Sequence, residues 1–225
     1  MTSMGAESHG GGPSTVYGWQ DPQATPSHSY IWPAVRRLLA ELPKGSHVLD
    51  LGCGNGWTAA RLAEQGFRVA GVDASSDGIA LARGAHPGLE FHLGSVYETL
   101  PDLVGDFDAV SSTEVIEHLY SPTALFIRAG EYLKPGGCLI ISTPYHGYLK
   151  NLAISLIGGW DAHHTTYWEG GHIKFFSRKS LRALAEGHGF KEDRFTGAGR
   201  LPYLWKSMAV RFRANGISVP SGCII

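Results

Sequence analysis

The sequence predicts an α/β fold, doubly wound about a mostly parallel, seven-stranded sheet. Three observations predict it. From Lys44 onward, short β-branched runs alternate with amphipathic stretches, which is the mark of βαβ units. A glycine-rich turn, Gly52-Cys53-Gly54-Asn55-Gly56, joins the first such run to the first amphipathic stretch. The chain has 225 residues, 43% of them hydrophobic, enough for one substantial core and a small cover but not for a second full domain.

Residues 1–15 are Gly- and Ser-rich with no apolar core, so they read as a disordered tail, neither a signal peptide nor a membrane span. Residues 16–43 read as N-terminal lid helices, 44–215 as the main domain with a lid insert at 145–174, and 216–225 as a tail. His47 to Leu51 is the first strand, and Trp57 to Gln65 a helix closed by Gly66. Arg68 to Asp73 is the second strand, Ser75 caps a helix through Ala82, and Leu89 to Gly94 alternates as the third strand. Phe107 to Ser112 is the fourth. Pro122 to Leu133 is a helix with proline at its start, an apolar stripe of Leu125, Ile127, Ala129 and Leu133, and a Pro-Gly-Gly stop. Cys138 to Thr143 is the fifth strand. A helix from Ser177 to Gly187 follows, and Lys191 to Thr196 with Met208 to Arg213 closes the sheet as an antiparallel pair.

Two segments escape the alternation, Tyr17 to Leu42 and Tyr145 to Lys174, both rich in aromatics and histidine. Segments flanking the carboxyl ends of parallel strands are where open α/β sheets bind ligands, so these are the expected substrate lid. A formal charge of -1 offers nothing to a polyanion, and nucleic acid is not expected as a partner. Cys53, Cys138 and Cys223 lack metal-ligand spacing and suit a reducing cytoplasm. Cys223 stands third from the end, where prenylation requires the fourth position. A monomer or homodimer acting on a small molecule is the expectation.

The turn discriminates among nucleotide cofactors. A dinucleotide site needs glycine where Trp57 stands, and a phosphate-binding loop needs Gly-Lys-Ser/Thr, which is absent. The spacing of Asp50-Leu51-Gly52-Cys53-Gly54-Asn55-Gly56 resembles motif I of class I S-adenosylmethionine-dependent methyltransferases, over roughly Val48 to Thr143. That resemblance implies the Rossmann-like methyltransferase fold and S-adenosyl-L-methionine as cofactor. It implies that Gly52, Cys53, Gly54 and Gly56 lie against the cofactor, with Asp50 near its amino end. Asp73 and Ala74 would take the ribose, Ser95 and Val96 the adenine, and Thr113 would border the site. Where the family has Gly-Asp after strand three, Gly94-Ser95 replaces the carboxylate with a hydroxyl. By residue type alone Asp73 is also a plausible helix cap, and Trp57 and the Cys53 side chain read as packing.

The segment Ser112-Thr113-Glu114-Val115-Ile116-Glu117-His118 is similar to the Glu-x-x-Glu-His stretch of the ubiquinone O-methyltransferases. The resemblance continues through Lys134-Pro135-Gly136-Gly137 and returns at His172-Ile173-Lys174-Phe175. Glu114, Glu117 and His118 fall at i, i+3 and i+4, so on one helical turn they share a face that either binds a hard cation or positions cofactor and lid by hydrogen bonds. His118, His172 and Glu117 are the expected catalytic residues, because methyl transfer leaves the protein to align and deprotonate the acceptor. His146, His163 and His164 are further candidate bases. Tyr17, Tyr30, Trp32, His146 and Trp168 are expected to wall a pocket for a flat acceptor, with Trp19, Tyr145, Trp160 and Tyr167 beside them. Arg36-Arg37 and Arg211-Arg213 read as solvated faces. The acceptor expected is a phenolic or quinol-like hydroxyl. N- or C-methylation, a non-catalytic cofactor-binding module and an oxidoreductase are the alternatives.

Overall fold

The structure, a computed structural model, describes residues 19, 21–164 and 171–215. The expected tails, Tyr17, Tyr167, Trp168 and Cys223 lie outside the described residues. The strands are β1 (His47–Leu51), β2 (Arg68–Asp73), β3 (Glu90–Leu93), β4 (Phe107–Thr113), β5 (Leu133–Pro144), β6 (Phe190–Ala198) and β7 (Ser207–Ala214). They form one sheet in the order β3-β2-β1-β4-β5-β7-β6. β1 to β5 run parallel, and β7 inserts antiparallel between β5 and β6.

The helices are α1 (His28–Leu39), α2 (Trp57–Glu64), α3 (Ser76–Ala85), α4 (Thr123–Tyr132), α5 (Tyr148–Leu156), α6 (Trp160–His164) and α7 (Arg178–Glu186). α1, α2 and α3 bury Val35, Leu38, Leu62 and Ile79 on one face of the sheet, while α4 and α7 bury Phe126, Tyr132 and Leu181 on the other. This is the doubly wound arrangement expected. Ser75 caps α3 by accepting the Gly78 N–H, and Ser177 and Ser180 form a capping box on α7, which is why both starts are legible locally.

Several details differ from expectation. The described part of the leading segment holds one helix, α1, which packs its apolar face on the sheet and reaches toward the strand ends only at its first turn. In α4 the buried stripe is Leu125, Phe126, Ala129 and Tyr132, and Ile127 is exposed. The helix ends at Tyr132 because Leu133 is extended and already pairs with Phe107, five residues before the expected start of β5 at Cys138.

Arg211 is no solvated residue: it is 2% exposed. β7 is flanked on both edges, so its alternate side chains face α1. The Arg211 guanidinium donates to the Leu38 carbonyl at 2.9 Å, to Glu41 at 2.8 Å and to Asp193 at 2.7 Å. Arg211→Ala orphans the buried Leu38 acceptor and is expected to lower unfolding free energy by about 1–3 kcal/mol. Urea denaturation checks this, and a loss under about 0.5 kcal/mol, the range of ordinary surface substitutions, would contradict the structural role.

Candidate functional site

The strand order reverses its winding between β1 and β4, and an open α/β sheet takes its ligand in the crevice at such a point. The glycine turn stands there. Gly52 has φ +86° and a Cβ on it would fall 2.4 Å from Val115 Cγ2; Gly54 has φ +51° and its Cβ would fall 2.2 Å from the Trp19 ring. Neither position tolerates a side chain. The Asp73 carboxylate, at the end of β2, accepts the Gly54 N–H at 2.7 Å and the Ser75 N–H at 2.8 Å. Burial pushes its pKa up, and those N–H donors pull it back. Asp73 thus both braces the turn and lines the cavity.

That cavity, of about 1060 Å³, runs from the ends of β2 and β3 past β4 to the ends of β5 and β7. Of the residues expected at the cofactor, Gly52, Cys53, Asp73, Ala74, Ser95, Val96 and Thr113 line it. Gly54 and Gly56 do not: Gly54 is covered by Trp19, and Gly56 packs against Ala82 and Phe91. Asp50 does not either. It sits in the central strand, paired on both sides with Gly71 and Ser111, fully buried and with neither carboxyl oxygen hydrogen-bonded among the described residues. Burial, with the Asp73 charge behind it, raises its pKa to about 7. Asp50 therefore lies beneath the turn, outside the cavity lining.

The turn after β4 departs most from expectation. Glu114 has φ +54°, a left-handed conformation rare outside glycine and often found at functional sites. Only Ile116–His118 forms a short 3-10 turn, so Glu114, Glu117 and His118 share no helical face. Glu114 accepts hydrogen bonds from Ser142 at 2.9 Å and Ser207 at 3.3 Å. Glu117 is fully buried, outside the cavity lining, and accepts from Thr143 at 3.0 Å. Burial and the neighbouring Glu114 raise its pKa well above the carboxylate range.

Its other oxygen faces His172 Nε2 at 4.0 Å, too far for a hydrogen bond. His118 and His172 both line the cavity with ring centroids 4.9 Å apart. Two N–H groups, of Ile173 and Lys174, donate to the Glu117 carbonyl and tie this distant segment to the β4 turn. The group whose ligand atoms converge, all within 4.8 Å, is accordingly Glu117, His118 and His172. His172 takes the place expected for Glu114.

Beyond this turn the walls are His146, His163, His164 and Phe175, with Tyr30 opposite. Burial lowers His146 and His172 to about 4, so both imidazoles are neutral near pH 7. Trp32 is outside the lining, set edge-on to Trp57, and Tyr145 packs against Trp205. Trp160 stacks on His164. The sequence reading passed over His28, Asn55 and Lys150, which also line the cavity. Asn55 clasps the carbonyls of Asp21 and Gln23, holding the leading segment over the turn. The lone Lys150 inside an apolar helical run was the one local signal available for it.

A family model described as "Methyltransferase domain" matches residues 27–193. The ubiquinone biosynthesis O-methyltransferase of Caulobacter sp. is 33% identical over 153 residues, 64% of this chain and 59% of that protein. That of Azorhizobium caulinodans is 31% identical over 163 residues, 68% of this chain and 62% of that protein. The chain thus spans about three fifths of the length of these relatives. Among solved structures, a Pyrococcus horikoshii protein superposes with TM-score 0.68 at 22% identity, covering 90% of this chain and 97% of that one. The Burkholderia thailandensis 1,6-didemethyltoxoflavin-N1-methyltransferase, with bound 1,6-didemethyltoxoflavin and S-adenosylhomocysteine, superposes with TM-score 0.61 at 21% identity, covering 81% of this chain and 77% of that one.

Proposed function

Because this chain belongs to the S-adenosylmethionine-dependent methyltransferases, its residues 27–193 matching that family's domain, we propose that it methylates a hydroxyl of a small phenolic or quinol-like acceptor. The naming of relatives at 31–33% identity as O-methyltransferases supports hydroxyl chemistry. One observation carries the reading: a single cavity joins the glycine turn and Asp73 to a wall of neutral imidazoles and aromatic rings, with His118 and His172 at the junction.

The residues fit the cofactor. Gly52 lines the cavity with bare backbone, at a left-handed φ and packed so closely on Val115 that no Cβ fits, and Asp73 keeps lone pairs for a ribose diol beyond the two N–H bonds it accepts. Ser95 and Val96 border the adenine end, and Thr113 the reacting end. When bound, S-adenosylmethionine supplies a methyl group on a sulfonium centre, ready for in-line displacement. The chain's own work is to hold the acceptor in line, exclude water and accept a proton. His172 Nε2, neutral near pH 7, or His118 beside it, takes the hydroxyl proton, with Glu117 behind His172 as a positioning group.

Calorimetry should detect S-adenosylhomocysteine uptake by the folded protein. Labelled methyl should then pass from S-adenosylmethionine to hydroxyls in a panel of phenols, catechols, amines and indoles, with and without a chelator. Transfer to nitrogen or carbon in place of oxygen would overturn the hydroxyl assignment. Uptake with transfer to nothing would leave a binding module. Inhibition by chelator would assign Glu117, His118 and His172 to a cation instead of to proton transfer.

A further inference from the structure

Lys150 is 5% exposed, in a helix whose other residues are apolar or neutral. Its Nζ donates to the carbonyls of Tyr145 at 2.8 Å and Lys206 at 3.3 Å, which engages two of three donors. It lines the cavity together with Arg200 and Lys206, both exposed and both carried by the connection from β6 to β7. Lys206 Nζ lies 5.0 Å from the centre of the Tyr30 ring. Arg200 is near enough to Lys150 for their repulsion to help burial lower the lysine to about 8, which still leaves it charged near neutrality.

The charges divide by topology. Asp73 and Glu98 line the half of the cavity at β2 and β3, whereas all three cations stand at β5 and β7. Glu114, at the border, is the acid facing Lys150, and its oxygens are already engaged by Ser142 and Ser207. The imidazoles nearest Lys150 carry no compensating negative charge. An anion entering that half meets three positive groups and one partly neutralised acid, and Lys150 is already desolvated.

The geometry points to an acceptor bearing a carboxylate, seated among Lys150, Arg200 and Lys206, with its ring against Phe175 and its hydroxyl toward His118 and His172. Resting on the methyltransferase reading above, it names the acceptor class as a hydroxylated aromatic acid. The separation follows from the fold, since the cations ride on α5 and the β6–β7 connection while the bases ride on the turn after β4 and the segment tied to it.

The test is calorimetry on the full chain saturated with S-adenosylhomocysteine, titrated with 4-hydroxybenzoate and with 4-hydroxybenzamide, its neutral counterpart of the same shape. The acid should bind about tenfold more tightly than the amide, and added salt should erode the difference. In the Arg200→Gln, Lys206→Gln double variant the ratio should fall toward one while S-adenosylhomocysteine affinity stays unchanged. Lys150→Met, which keeps the buried stem, should also lower the ratio; if it fails to fold, the double variant decides. Equal binding of acid and amide, binding of neither, or a preference that survives the double variant overturns the proposal. Failure to bind S-adenosylhomocysteine at all would count against the methyltransferase reading instead.

Discussion

Replacing Asp73 with alanine is expected to weaken S-adenosylhomocysteine binding by about a hundredfold or more. A carboxylate that accepts both hydroxyls of a ribose makes two charge-assisted hydrogen bonds, each contributing about 1.5–3 kcal/mol, and the sum corresponds to at least two powers of ten. A second effect adds to the first. The Gly54 and Ser75 N–H groups lose their acceptor, so the turn loosens as its ligand contact disappears. Asp73→Asn keeps one acceptor oxygen and should fall between wild type and alanine, whereas Ser95→Ala, which removes a neutral hydroxyl, should cost far less. Calorimetry with a parallel melting curve reads all three. An affinity within threefold of wild type in folded Asp73→Ala protein would remove the ribose role.

His172→Ala is expected to lower kcat for a hydroxyl acceptor by about 10²–10⁴, the usual range for loss of a positioned base, with S-adenosylhomocysteine affinity unchanged. The ring lines the cavity, faces His118 and is held neutral by burial. A merely structural histidine would change cofactor affinity and melting temperature together with rate. Glu117→Gln, which alters the group behind the ring without emptying the space, should give a smaller loss in kcat. Should His118→Ala abolish turnover while His172→Ala retains it, the base is His118 and His172 becomes a wall.

The elements of the fold were legible because their causes are local. β1 and β2 begin and end where the β-branched runs do, the starts of α3 and α7 are marked by serines that cap them, and the glycine turn stands between strand and helix with backbone angles that exclude side chains. Ile127 shows the limit of the same method. A stripe can be drawn through it on paper, but Phe126 and Tyr132 are the residues the neighbouring layer accepts.

The cavity was most legible in its half at β1 to β3, where Gly52, Asp73 and Ser95 lie at the ends of strands that can be counted along the chain. Its other half depends on long-range contacts. The i, i+3, i+4 spacing of Glu114, Glu117 and His118 implies one face only if the backbone is helical, and the left-handed Glu114 breaks that condition. His172 reaches His118 through two backbone hydrogen bonds to Glu117, and Lys150 becomes a buried charge because the carbonyls of Tyr145 and Lys206 meet across β5 and β7.

By itself the sequence determined the seven strands, the helices α2, α3, α4 and α7, and the glycine turn with the carboxylate at the end of β2, since side-chain periodicity, capping and glycine spacing act over a few residues. The tertiary structure alone decided that β7 enters between β5 and β6, that Asp50 and Arg211 are interior, and that histidines and cations from separate segments share one cavity. Those outcomes follow from which strand ends are brought side by side, and no pattern along the chain carries that information.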